Sequence, residues 1–251
     1  MLVASLMRPS PGVPLLRCSA LLSCLYLVAV GCGDGATTPA PGDGTTPAGA
    51  ASRVRVVHAA PRAPTLDAFV DGVLREGRIV YASASEYFDV PPGTATVAMH
   101  AILTGEPIAS GRLATAPGSD ATVLAIGTYP QNDLLVLADS NAPQGDSVRL
   151  RVVHVSPSAG PLDVYVTEAG ADLAGRGPLV AEFGYGQVSG YVTLPHGNWR
   201  VAAARVGTAV PLFDTGDIQL QPGDVRTALI LDTSKGRAAR GIAMIIDRTG
   251  P

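Results

Sequence analysis

The chain has 251 residues, of which 47% are hydrophobic, 16% charged and 5% aromatic, with 29 Gly and 21 Pro. That apolar content is too high for an intrinsically disordered protein, and the near-balance of 18 basic against 21 acidic residues leaves no electrostatic footprint for a nucleic-acid partner. No apolar run reaches the ~20 residues that a membrane-spanning helix needs.

The first segment reads as an export signal. Arg8 and Arg17 make a positive n-region, and Ala20 to Val30 is an apolar stretch of h-region length. It ends in Ala29-Val30-Gly31-Cys32, which resembles the bacterial lipobox, with Ala29 where that motif usually carries Leu. The resemblance implies a signal peptide over 1–31 and lipidation of Cys32; the alternative is an ordinary cleaved signal with an incidental Cys. Cys18 and Cys24 would leave with the signal, so the mature chain would hold neither a free thiol nor a disulfide. Its stability would then come from burial.

Residues 32–52 are expected to form a flexible Gly/Pro/Thr/Ala linker, disordered because 33–52 contain no Leu, Ile, Val, Phe or Tyr. Asp34 and Asp43 lack the Asp-x-Asp-x-Asp spacing of a calcium loop. A coil of this length would hold the body roughly 25 Å from the membrane.

The remaining chain repeats itself. Arg55-Val56-Val57-His58-Ala59-Ala60-Pro61 and the following Leu66-Asp67-Ala68-Phe69-Val70 recur as Arg151-Val152-Val153-His154-Val155-Ser156-Pro157 and Leu162-Asp163-Val164-Tyr165-Val166. Val90-Pro91-Pro92-Gly93 is answered by Leu194-Pro195-His196-Gly197, and Leu137-Ala138-Asp139 by Ile245-Ile246-Asp247. A short polar joint, Ser140-Asn141-Ala142-Pro143-Gln144-Gly145-Asp146, separates the copies.

Each copy reads as strands. Val54, Val56 and His58 share one face of an alternating segment, as do Leu150, Val152 and His154. Pro61 and Pro157 end these strands and hold the preceding residue extended. Ala95, Val97 and Met99 form an inner row matched by Trp199, Val201 and Ala203. Val123 to Ile126 and Ala228 to Leu231 are continuous apolar runs suited to central strands. Glu168 to Gly177 is an insertion of copy two, expected to lengthen a hairpin loop. About seven short strands per copy predict an all-β fold. The expected architecture is two tandem immunoglobulin-like β-sandwich domains, over 53–140 and 148–248, after the signal peptide and linker.

The openings Arg55-Val56-Val57-His58-Ala59-Ala60-Pro61 and Asp67-Ala68-Phe69-Val70-Asp71-Gly72, with their second copies and the two Pro-x-Gly turns, resemble the exported bacterial family catalogued as domain of unknown function 4397. The resemblance implies a secreted or surface-tethered β-domain and brings no activity with it. Copy two departs at Thr167-Glu168, where the usual Asp-Gly turn is replaced.

Two chemistries compete for the recurrent polar residues. His58 with Asp67 and His154 with Asp163 suggest a metal or a hydrolase site. The histidines also lie on the apolar faces of their strands. That placement favours buried rings bonded to the turns at Pro61 and Pro157, with both aspartates capping backbone amides there. No G-x-S-x-G elbow or H-E-x-x-H signature is present. No cofactor and no metal are therefore expected. Phe69 and Tyr165 fall opposite the apolar rows, where aromatics line a binding face or simply pack.

The sequence thus points to a non-catalytic lipoprotein of the cell envelope, at the outer membrane or cell surface. Its expected partners are the membrane, through the lipid, and an envelope protein or polysaccharide. An envelope hydrolase working through the His/Asp pairs is the alternative.

Overall fold

A computed structural model describes residues 50–142, 145–236 and 241–248. The signal, Cys32 and most of the linker lie outside these residues. The described residues belong to one compact unit, Thr46–Pro251.

Among the described residues every regular element is a strand. The first half runs β1 (Ser52–His58), β2 (Leu66–Val70), β3 (Val73–Ile79), β4 (Phe88–Val90), β5 (Gly93–Ala101), β6 (Pro107–Thr115), β7 (Asp120–Thr128) and β8 (Gln131–Asp139). The second runs β9 (Ser147–His154), β10 (Leu162–Glu168), β11 (Val180–Phe183), β12 (Val192–Pro195), β13 (Gly197–Arg205), β14 (Pro211–Asp214), β15 (Ile218–Leu220), β16 (Val225–Leu231) and β17 (Gly241–Arg248).

These strands form four sheets, which correspond in pairs. Orders β4-β1-β7-β8 and β3-β2-β5-β6 make the first sandwich; β12-β9-β16-β17 and β11-β10-β13-β14, with β15 also on β13, make the second. The fold is two tandem immunoglobulin-like β-sandwiches. In each, the opening strand lies parallel to a late one, β1 on β7 and β9 on β16, and antiparallel to its other neighbour.

Local chemistry fixes the turns. Asp71 and Gly72 both have positive φ (49° and 77°), and they join β2 to β3 by the two-residue turn that Asp-Gly favours. The Pro-x-Gly turns end in Gly93 and Gly197 at φ 130° and 145°, a backbone region open to glycine alone. Where Thr167-Glu168 replaces Asp-Gly, β10 simply runs on to Glu168, and a loop over 169–179 leads to β11.

Among the described residues the apolar side chains gather into three main cores. Val54, Val56, Val123 and Ala125 meet Leu66, Ala68, Val97 and Met99 inside the first sandwich. Leu150, Val152, Ala228 and Ile230 meet Leu162, Val164, Val201 and Ala203 inside the second. The third lies between them: Val57, Leu124, Ile126 and Leu137 pack on Val153, Leu229, Leu231 and Ile245. Alternation along β1 and β7 puts Val57 and Leu124 opposite the first core. Both faces of β1, β7, β9 and β16 are therefore buried, which is why Val123 to Ile126 in β7 and Ala228 to Leu231 in β16 read as continuous apolar runs.

Candidate functional site

His58 and His154 end β1 and β9 and are fully buried. The Ala60 amide donates to His58 Nδ1 at 3.3 Å, and His58 Nε2 donates to the Pro64 carbonyl at 3.0 Å. His154 repeats this pattern with the Ser156 amide (3.3 Å) and the Gly160 carbonyl (3.0 Å). Each neutral ring thus ties both ends of the loop that follows its strand. Burial pushes both imidazoles below their ordinary pKa. The Tyr81 ring stands edge-on to His58, 5.6 Å between centroids.

Asp67 and Asp163 do cap amides, but not those of the proline turns. Asp67 accepts from the Arg78 amide at 2.9 Å. Asp163 accepts from the amides of Glu182 (2.9 Å) and Gly207 (2.8 Å). Each carboxylate therefore stitches its strand to neighbouring backbone, because β2 and β10 turn these side chains away from the loop that the histidine holds. Pro61 and Pro157 open the turns directly after these strands. Among the described residues no three His, Cys, Asp or Glu side chains gather where they could hold a metal ion.

The most concentrated polar chemistry lies elsewhere, inside the layer between the sandwiches. Arg55 donates through Nε to Thr122 Oγ1 (2.8 Å), through Nη1 to the Ile246 carbonyl (2.8 Å), and through Nη2 to Asp247. Arg151 does the same with Thr227 (2.8 Å), the Ala138 carbonyl (3.0 Å) and Asp139. Thr122 and Tyr87 each donate to Asp139 Oδ2, both at 2.6 Å. Thr227 and Tyr191 donate to Asp247 Oδ2 at 2.6 and 3.3 Å. The guanidinium of Arg55 lies 4.9 Å from the centre of the Tyr87 ring, and that of Arg151 4.8 Å from Tyr191.

Every side chain of this cluster thus has a counterpart in the other copy, and each arginine crosses to the other copy's aspartate. Side-chain exposure is 2% and 0% for Arg55 and Asp247, and 3% and 0% for Arg151 and Asp139. Burial alone would lower the Arg55 pKa; the charge of Asp247 and the Tyr87 hydroxyl outweigh it, and the net direction is up. Burial also pushes Tyr191 up to about 12, against the pull of Arg151. Sequence reasoning passed over this cluster. The signal was present: Arg55 and Arg151 stand at equivalent positions between apolar neighbours, Val54 and Val56 in one copy and Leu150 and Val152 in the other, and Asp139 and Asp247 close their copies alike.

The aromatics divide. Phe69 stacks at a tilt on His100, 4.9 Å between centroids, on the outer face of the first sandwich. Tyr165 is buried, so of its two readings packing holds. The inserted loop lays Leu173 over it beside Ala202 and Ala204, and the Tyr165 hydroxyl donates to the Thr208 carbonyl at 3.1 Å. An open groove of about 320 Å³ borders the start of β13, lined by Glu168, Pro195, His196, Asn198 and Trp199. The indole N–H of Trp199 donates to the Pro195 carbonyl at 2.9 Å, which fixes the ring at the groove wall.

The family described as "Domain of unknown function (DUF4397)" matches residues 52–165, from β1 into β10. No curated protein sequence matches the chain significantly. One similar solved structure is CBMbc, a family 26 module from Eubacterium rectale Amy13K solved in complex with maltoheptaose. It is 12% identical, covers 79% of this chain and 98% of its own, and has a TM-score of 0.28. Another is an alpha-glucan-binding structure of a streptococcal virulence factor; it is 9% identical, covers 71% of this chain and 92% of its own, and has a TM-score of 0.25. At these scores neither likeness assigns a ligand or a residue role to this chain.

Proposed function

We propose that this chain is a non-catalytic, lipid-anchored module of the bacterial cell envelope, a member of the family through both of its copies. In this reading Cys32 carries the acyl anchor at the outer membrane or cell surface, the linker gives reach, and the body recognises an envelope protein or polysaccharide. The observation that carries it is the use of the histidines. Both ring nitrogens of His58 and of His154 are engaged by their own loops, and both rings are sealed from solvent. Such imidazoles have no lone pair or proton free to serve a substrate.

Recognition falls to the solvent-facing loop ends. The groove at Trp199, the chain's one tryptophan, sets an indole wall among the polar side chains of Glu168, His196 and Asn198. A fixed aromatic face with hydrogen-bonding neighbours suits a neutral glycan better than a charged ligand.

The double variant His58→Gln with His154→Gln separates this reading from the hydrolase alternative. A loop-holding role lowers the melting temperature; a catalytic role removes turnover of envelope esters or glycans and leaves melting unchanged. The mass of the mature N-terminus, with protease accessibility on intact cells, tests the anchor and its sidedness. An unmodified N-terminus other than Cys32, or a body sealed from external protease, overturns the surface-lipoprotein reading.

A further inference from the structure

The layer between the sandwiches has the logic of a twofold-symmetric interface, in which a residue i of one face meets j of the other and j meets i. Arg55 meets Asp247 while Arg151 meets Asp139, and each copy carries both members of that pair. The apolar contribution is likewise alike on both sides, Val57, Leu124 and Leu137 against Val153, Leu229 and Ile245.

Each face is also prepared by its own copy. In copy one, Thr122 and Tyr87 hold Asp139 through Oδ2, Thr122 Oγ1 accepts from Nε of Arg55, and the Tyr87 ring lies beside the guanidinium. What remains for a partner is Asp139 Oδ1 and the Nη groups of Arg55. One face therefore presents an acceptor and a donor already oriented, and a second face of the same kind supplies the complement of both.

From this we infer that the face formed by Arg55, Asp139, Val57 and Leu124 is a homotypic recognition surface whose partner is another copy of the same unit. In this chain the joint 140–146 selects the partner. A tether this short gives the neighbouring copy an effective concentration on the order of millimolar, so the intramolecular pair forms before a second chain competes. Where the internal pair is made unfavourable, the same face pairs with the like copy of another chain.

Charge reversal in the full chain tests this. Reversing copy one alone (Arg55→Asp with Asp139→Arg) puts like charges together inside the chain: the new carboxylate at 55 faces Asp247, and the new guanidinium at 139 faces Arg151. Between two such chains, like copies remain complementary, 55 with 139 and 151 with 247. Two differently tagged full chains are co-expressed and solubilised in detergent, and one tag is captured while the other is measured.

Wild type is expected to show background co-capture, and the copy-one reversal at least a tenfold rise. The quadruple reversal, adding Arg151→Asp and Asp247→Arg, restores complementarity within the chain and is expected to return co-capture and melting temperature to wild-type values. Co-expression of the copy-one reversal with a copy-two reversal gives the control, since those chains are complementary only between unlike copies. Pairing seen there and not between identical copy-one reversals overturns the proposal. So does a copy-one reversal that is insoluble, or that stays unpaired, while the quadruple chain folds. A quadruple chain that fails to recover overturns it as well, because the charges would then not choose the partner.

Discussion

A histidine that accepts an amide at one nitrogen and donates to a carbonyl from the other cannot gain a proton without losing a bond. Protonation of His58 would turn its Nδ1 from acceptor for the Ala60 amide into a second donor facing it. Burial disfavours the charged ring further and holds both imidazoles below their ordinary range. The unfolded chain, with its histidines near pKa ~6.5, then binds protons that the folded chain refuses. Stability from this source is fully present above that value and is lost as pH falls towards the folded pKa. We expect the melting temperature to drop between pH 7.5 and 5.5, and to drop less in His58→Gln, where one of the two rings no longer titrates. An equal drop in both proteins would count against this assignment. These residues were legible in the sequence because they sit in phase with apolar neighbours of an alternating strand. The roles of Asp67 and Asp163 were legible only in kind, since the amides they cap belong to residues 11 to 44 positions along the chain.

At the scale of elements, the inserted loop of copy two shows how one connection changes a sheet face. In copy one the Asp71-Gly72 turn keeps the β2–β3 hairpin short, and Phe69 stacks on His100. In copy two the loop over 169–179 returns Leu173 to the sheet, 1% exposed, and seals Tyr165. Removing that side chain leaves a cavity over Tyr165. Leu173→Ala should cost about 2–5 kcal/mol, the range for a buried leucine. Limited proteolysis should then nick the loop faster while the first sandwich resists as before. The longer connection followed from the insertion of Glu168 to Gly177. Its function as a cover did not, because Leu173, flanked by Gly, Ala and Asp, carries no periodicity.

Across the whole molecule, the buried layer is expected to couple the two sandwiches into one cooperative unit. Two buried ion pairs cross it in opposite senses, and each charged group depends on a partner from the other copy. Arg55→Ala would remove the closest countercharge of Asp247 and leave it Arg151 at 4.0 Å, a loss of about 3 kcal/mol, the low end for a broken buried pair. Because the lost partner belongs to the other sandwich, calorimetry should show a single transition shifted downward. Separation into two peaks, one of them at the original temperature, would mean that the sandwiches unfold independently.

Strand periodicity, the proline and glycine turns, and the paired recurrence of Arg, His and Asp can all be read along the chain alone. Those features are local: a period of two states which side of a strand a residue takes, and Pro or Gly states where the backbone must turn. What lies against the second side of β1 and β9 emerges only when the two sandwiches meet. An alternating pattern places Arg55 and Val57 on a face but carries no information about the surface opposite, here a sheet folded nearly a hundred residues away in the chain. The interlocked arginine and aspartate pairs exist because two such faces meet, and each face alone is half of that arrangement.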